Sequence, residues 1–202
     1  RARRRYGRSV RVVAPGAADA LFALPDSVGT YALYVGRLAP EKGIERLLEW
    51  SALLPLDLVV AGDGAPAYVA QLRDLAGTRV RFTGPLLGAE LLAAYAGARF
   101  LAFVPHQEEL GLAALEAMAA AKPVLAAPEG GLFELVHAGV TGLFARDGAE
   151  FAAAARRLRA DDALCLRLGR AGRAQARAYT WERFARGVES ACEQVAQARC
   201  DR

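Results

Sequence analysis

Leu56-Asp57-Leu58-Val59-Val60-Ala61 reads as a strand buried on both faces, because apolar residues run on with one interruption instead of alternating with polar ones. Gly62-Asp63-Gly64-Ala65-Pro66-Ala67 then turns the chain into a helical stretch, Ala67–Ala76. Continuous apolar strands joined through helices imply a parallel sheet covered by helices on both faces.

The same unit repeats outward in both directions. Strands are expected at Val10–Ala14, Tyr31–Gly36, Leu56–Ala61, Val80–Thr83, Phe100–Val104, Pro123–Ala126 and Gly142–Ala145. Helices are expected around Ile44–Leu54, Ala67–Ala76, Ala89–Ala96, Gly111–Ala121 and Gly131–Ala138. Crossover handedness then favours an α/β, doubly wound, Rossmann-like domain. From Ala149 onward the pattern is helical only: Glu150–Arg159, Asp161–Tyr179 and Trp181–Arg199, with Thr180 as the N-cap of the last helix and Glu182 in its first turn. No internal repeat or long linker is visible, so residues 1–202 are expected to form one domain.

Composition agrees with a globular, helix-rich chain: 54% of its 202 residues are apolar, chiefly Ala, and 24% are charged. No apolar run reaches the roughly 18–20 residues that span a bilayer, and the basic start is not followed by the apolar segment of a signal peptide. The net charge of +4 is concentrated in Arg1, Arg3, Arg4, Arg5, Arg8 and Arg11 and in the arginines from Arg156 to Arg177. Such patches suit a nucleic-acid arm, an anionic membrane surface, or a solvated terminus with exposed helix faces. The last is favoured, so no nucleic-acid partner is expected, and the chain is placed in the cytoplasm, with peripheral association at the inner membrane face as an option. Cys165, Cys192 and Cys200 are odd in number and lack metal-ligand spacing, which fits a reducing compartment.

Three segments carry candidate chemistry. Gly36-Arg37-Leu38-Ala39-Pro40-Glu41-Lys42-Gly43 follows a strand, at the end where open α/β sheets bind ligands. Arg37 offers a forked donor and Lys42 a point charge, a combination that suits a diphosphate, although a solvated βα loop would read the same way. His106-Gln107-Glu108-Glu109-Leu110-Gly111-Leu112 leads into a helix whose free N–H groups favour an anion. Glu116 lies five residues into that helix, roughly 7–8 Å along its axis. That is about the span from a phosphate to the ribose hydroxyls, and a carboxylate among Leu112, Leu115 and Met118 calls for a specific partner. Pro128-Glu129-Gly130-Gly131-Leu132-Phe133-Glu134 is a third strand-to-helix turn, suited to a phosphate or sugar, or simply a tight turn. His106 stands at the mouth of this region as a positioning group or an acid–base group, and His137 is expected at a helix end. Gly62–Ala67 matches a dinucleotide fingerprint, but the ribose-binding acid expected about 20 residues on is missing.

Together these segments resemble the C-terminal domain of the group 1, family-4 retaining glycosyltransferases, which pair two Rossmann-like domains in the GT-B architecture. Tyr34-Val35-Gly36-Arg37-Leu38 with Glu41-Lys42-Gly43 is similar to the family's G-R-L-x-x-E-K-G loop. Val59–Gly64 with Val80-Arg81-Phe82-Thr83-Gly84 is similar to its G-x-G turn and V-x-F-x-G strand. Glu108, Gly111 and Glu116-Ala117-Met118 resemble its E-x7-E signature, with Lys122-Pro123-Val124 after it. Gly130-Gly131 with Glu134, then Gly139 and Thr141-Gly142-Leu143, resemble its closing glycine motif. Tyr6-Gly7 and Val12–Gly16 resemble the interdomain crossover, and Thr180–Phe184 the start of the final helix, residues 180–202.

The resemblance implies transfer of a sugar from a nucleoside diphosphate sugar to an acceptor hydroxyl, with no cofactor and no metal. Arg37, Lys42, Leu110, Gly111 and Leu112 would hold the diphosphate, and Glu116 the ribose. Glu108 would approach the sugar and act with Arg37 and Lys42 in catalysis, while Thr83, Gly84 and Leu86 would lie near the base. Two departures stand out: Glu109-Leu110 where the family has Gly-Phe, and Ala120-Ala121 where it has Cys-Gly. The acceptor half is expected on a missing N-terminal domain or a partner subunit, which would leave the chain alone inactive for transfer. A non-catalytic nucleotide-binding module and an NAD(P)-dependent oxidoreductase are the alternative readings.

Overall fold

The computed structural model describes Gly7, residues 12–106 and residues 108–200, the side chains of residues 198–200 excepted. Six parallel strands form one sheet in the order β3-β2-β1-β4-β5-β6. They are β1 (Tyr31–Val35), β2 (Leu58–Ala61), β3 (Val80–Gly84), β4 (Ala98–Phe103), β5 (Val124–Ala126) and β6 (Gly142–Phe144). The helices are α1 (Asp19–Phe22), α2 (Ile44–Ser51), α3 (Pro66–Leu75), α4 (Gly88–Gly97), α5 (Leu112–Ala119), α6 (Leu132–Leu135), α7 (Gly148–Ala160), α8 (Asp162–Ala176) and α9 (Trp181–Cys200). Pro40–Lys42 makes a 3₁₀ turn between β1 and α2.

The strand order follows from the patterning. β2 and β4 are buried along their whole length, as strands covered on both faces must be. The chain moves outward from β1 through β2 to the edge strand β3, then returns by α4 to lay β4 against the other side of β1. Right-handed crossovers in opposite directions place the helices of the two halves on opposite faces. α2 packs on α3 and α7, and α5 packs on α1, α6 and α8. The reversal lies between β1 and β4, where an open α/β sheet leaves a crevice beyond the carboxyl ends of its strands.

Expected elements differ from observed ones mostly at their ends. The helix expected over Gly131–Ala138 is one turn, Leu132–Leu135, because the His137 N–H goes to Thr141 Oγ1 at 2.9 Å. The strand expected at Val10–Ala14 is a correction: Val12, Val13 and Ala14 are not in a strand, and Val10 and Arg11 lie outside the described residues. The segment runs beside the start of α9 instead, where the Ala17 N–H donates to the Tyr179 carbonyl at 3.2 Å. Most of the crossover segment 1–16 lies outside the described residues, so what remains of it is Gly7 and Val12–Gly16. Thr180 caps α9 as expected, its Oγ1 accepting the Arg183 N–H at 3.1 Å.

Two buried cations close the end of the sheet away from the crevice. Lys122, just before β5, donates to the Ser27 carbonyl (2.8 Å), Ser27 Oγ (3.0 Å) and the Ala96 carbonyl (2.8 Å). Burial, with Arg173 nearby, pulls its ammonium down to about 8. Arg99, on β4, donates to the carbonyls of Leu158 (2.7 Å) and Gly29 (3.3 Å) and pairs with Asp162.

Ala121 is the one non-glycine residue with positive φ (54°) among the described residues, and its carbonyl packs against Gly169 of α8. It occupies a position where the resembled pattern has glycine. An L-residue in this region costs roughly 1–2 kcal/mol, against about 0.5–1 kcal/mol of extra backbone entropy for glycine. Ala121→Gly is therefore expected to stabilise the domain by about 0.5–1 kcal/mol and raise its Tm by about 1–4 °C. A thermal melt showing a lower Tm would contradict the strain assignment.

Candidate functional site

The loops that leave β1 and β4 meet across the crevice. They enclose a cleft of about 210 Å³ lined by Tyr34, Val35, Gly36, Arg37, Lys42, Phe103, Glu108, Leu112, Ala113 and Glu116. Five residues singled out in the sequence thus converge: Arg37, Lys42, Glu108, Leu112 and Glu116.

Lys42 ends the 3₁₀ turn, and its Nζ donates to Glu108 Oε2 at 2.8 Å. Glu108 Oε1 accepts the Gly111 N–H at 3.1 Å, so one carboxylate joins the β1 loop to the turn that begins α5. That turn needs glycine. Gly111 has φ 88°, and a Cβ there would come within 2.5 Å of Leu132. The Glu108 backbone is held from the far side, where its carbonyl accepts the Gly131 N–H at 2.9 Å. The third segment is therefore a brace for the second. Arg37 is more exposed and pairs with Glu41 at 2.6 Å.

Two expected contacts are organised differently. The Gly111 N–H, expected to point at a ligand, is engaged by Glu108, while Leu110 is absent from the cleft lining and Leu112 lines it. Thr83, Gly84 and Leu86 stand at the carboxyl end of β3, two strands from β1, and do not line this cleft. Thr83 Oγ1 donates to the Gly84 carbonyl at 2.9 Å, and that carbonyl accepts the Gly62 N–H at 2.9 Å. The glycines of the apparent dinucleotide fingerprint serve loop packing. A Cβ at Gly62 would overlap the Gly36 carbonyl, and the Leu38 N–H reaches the Asp63 carbonyl at 2.7 Å. His106 is exposed, and its N–H donates to the Glu41 carbonyl at 3.1 Å.

Glu116 finds the partner its apolar surroundings demand: the Tyr95 hydroxyl of α4 donates to Oε2 at 2.8 Å. Burial raises the Glu116 carboxyl above the usual carboxylate range, only partly offset by that hydrogen bond. Burial and the Glu116 charge push the Tyr95 phenol well up, so it stays a protonated donor. Tyr34 forms the floor, donating to the Arg37 carbonyl at 3.0 Å and stacking near Phe103 with centroids 6.2 Å apart. Sequence patterning missed the place of Tyr34, Phe103 and Tyr95 at the cleft. Tyr34 and Phe103 carried a faint signal as aromatics at the carboxyl ends of strands, whereas Tyr95 lies 21 residues from its partner and carried none. No group of three His, Cys, Asp or Glu that could hold a metal occurs among the described residues, and no described helix is long and apolar enough to cross a membrane.

Residues 29–161 match the family described as glycosyl transferases group 1. A D-inositol 3-phosphate glycosyltransferase from Corynebacterium efficiens is 32% identical over 95% of this chain and 52% of its own length. Sucrose-phosphate synthase from Thermosynechococcus elongatus superposes with a TM-score of 0.81 and 30% identity over 98% of this chain and 56% of its own. Anabaena HepE in complex with UDP-glucose shares the fold, with a TM-score of 0.74 and 24% identity over 87% of this chain and 56% of its own. The chain thus spans about half the length of these relatives.

The Glu116 environment yields a test of charge burial. A carboxyl whose folded pKa is raised contributes stability below its unfolded pKa and loses it as pH rises through the folded value. Glu116→Gln is therefore expected to melt close to wild type at pH 4 and above it at pH 8. Melting curves in which the gap is constant, or favours wild type at pH 8, would show that the carboxylate is not penalised by burial.

Proposed function

The chain belongs to the group 1 glycosyltransferases, and we propose that it is the donor-binding half of a retaining member, holding a nucleoside diphosphate sugar in the cleft between the β1 and β4 loops. The observation that carries this reading is the convergence of Arg37, Lys42, Glu108, Leu112 and Glu116 on one cleft at the switch point of a parallel sheet. Two cations on one loop, opposite the amino end of α5, make a place for a diphosphate. The Glu116 carboxylate, steadied by Tyr95, accepts from the ribose hydroxyls one and a half turns along the same helix. Thr83, Gly84 and Leu86 are assigned to the base side, reached from the β3 end. The UDP-glucose complex of HepE supports a nucleotide-sugar donor by analogy.

In the reaction so proposed, the bond from the anomeric carbon to the β-phosphate oxygen breaks and the acceptor oxygen bonds to that carbon on the same face. The acceptor proton passes to the departing phosphate. Arg37 and Lys42 neutralise the charge that grows there, and because Lys42 is the less exposed it carries more of the effect. When phosphate engages Lys42, Glu108 is freed to turn toward the sugar. Both Lys42 and the Gly111 N–H currently meet its carboxylate.

Two measurements test the reading. Arg37→Ala and Lys42→Ala are each expected to weaken nucleoside diphosphate binding by about 1.5–3 kcal/mol, Arg37 at the lower end, with the fold intact. Isothermal titration with UDP, GDP and ADP checks this, and wild-type affinity in the double variant would sink the assignment. The 202 residues by themselves are also expected to bind a nucleotide without transferring sugar, because an acceptor must be oriented from outside them. That proximity contribution reaches roughly 7–11 kcal/mol. Transfer at ordinary enzymatic rates by this chain alone would show that it carries both halves of the site.

A further inference from the structure

β4 ends at Phe103; its ladder with β1 ends at Leu101 and its ladder with β5 at Phe103. The next two residues, Val104 and Pro105, are buried, and proline has no N–H with which to extend a ladder. Their carbonyls still need donors. Arg46 supplies them from α2: Nε and Nη2 reach the Val104 carbonyl at 3.2 and 2.6 Å, and Nη2 also meets the Pro105 carbonyl. The guanidinium lies over the Trp50 ring, 5.4 Å from its centroid, and Trp50 packs on Phe151 of α7. The fork is thus fixed to the folded core at one end and to the β4 loop at the other.

Arg46 works beside its neighbours on the same loop-to-helix segment. The Glu41 carbonyl accepts the His106 N–H, Lys42 pairs with Glu108, and Gly43, at φ 65°, leaves room for the Val104 carbonyl, which a Cβ would overlap. Residues 41, 42, 43 and 46 therefore hold positions 104, 105, 106 and 108. Arg46 is the one of these contacts that grips two consecutive backbone carbonyls, and it does not itself line the cleft.

We infer that Arg46 is a positioning residue: by clamping the Val104–Pro105 backbone it sets the placement of Glu108 and the Gly111 turn relative to Lys42, and so the affinity of the cleft for a diphosphate. This rests on the reading of the cleft as the donor site. Arginine suits the task because its planar fork bonds two acceptors at once, whereas lysine offers a single ammonium.

The test uses the 202-residue chain with Arg46→Met, which keeps the aliphatic stem on Trp50, and with Arg46→Lys and Arg46→Ala. Each is titrated with UDP, GDP and ADP and followed by thermal denaturation. Arg46→Met is expected to unfold cooperatively and bind about tenfold or more weakly than wild type, or about 1.4 kcal/mol, with Arg46→Lys between them. Millimolar methylguanidinium is expected to restore part of the affinity of Arg46→Ala and to leave wild type unchanged, a response that a general loss of stability would not give. A folded Arg46→Met with wild-type affinity overturns the inference. If that variant does not fold, Arg46→Lys decides: wild-type affinity refutes the inference and weaker binding supports it. Wild-type binding with unaffected Arg46 variants refutes the clamp alone, whereas a wild-type chain that binds none of the three nucleotides refutes the donor reading and the clamp with it.

Discussion

The Lys42–Glu108 pair bridges the two loops on which everything else at the crevice depends. Parallel strands β1 and β4 are neighbours, but their crossovers leave to opposite faces, so no helix fills the gap beyond their ends. The loops must hold each other. The pair is well shielded, with side chains 23% and 10% exposed, whereas Arg37–Glu41 is 68% and 46% exposed. Exposed pairs contribute about 0–1 kcal/mol, while breaking a buried one leaves a charge without compensation. The shielded pair therefore fixes geometry, and the exposed pair keeps Arg37 near the mouth.

The other end of the sheet is held by the opposite device. Lys122 and Arg99 place their charges among backbone carbonyls of the loop before β1, at Ser27 and Gly29, and of the last turns of α4 and α7, at Ala96 and Leu158. Buried acceptors without donors are costly, and a cation that reaches several at once satisfies them with one side chain. Arg46 applies the same chemistry at the crevice, on Val104 and Pro105. The domain thus uses arginine and lysine as backbone clamps at both ends, buried at the Lys122–Arg99 end and half-buried at Arg46, and keeps Arg37 and Lys42 at the cleft. A count of basic residues, or a net charge of +4, mixes these groups and reveals neither.

Membership of the group 1 glycosyltransferases gives this division of labour a purpose. The chain supplies strand ends, two loops paired across the crevice, and one helix, α5, that carries Glu116 into the cleft. Burial raises the Glu116 carboxyl above the usual carboxylate range, and the hydrogen bond from Tyr95 offsets only part of that shift.

Much of the architecture was legible in the residues themselves. Continuous apolar strands, each followed by a helix, specify a parallel doubly wound sheet because burial on both faces and right-handed crossovers leave few alternatives. Arg37, Lys42, Glu108 and Glu116 could be picked out because each lies at a fixed offset from a strand end or a helix start, which is local information. The run Val10–Ala14 reads like one more strand because apolar β-branched residues fit a strand or an extended packed segment equally well; for the described part, Val12–Ala14, packing beside α9 decides. The Tyr95–Glu116 pair, the brace from Gly131 and the grip of Arg46 on Val104 and Pro105 join residues that are 21, 23 and 58–59 positions apart. Such contacts exist only once the strands and helices on either side of β4 have packed together. No local pattern specifies them, because the geometry that brings them within a hydrogen bond belongs to the assembled sheet and not to any stretch of chain.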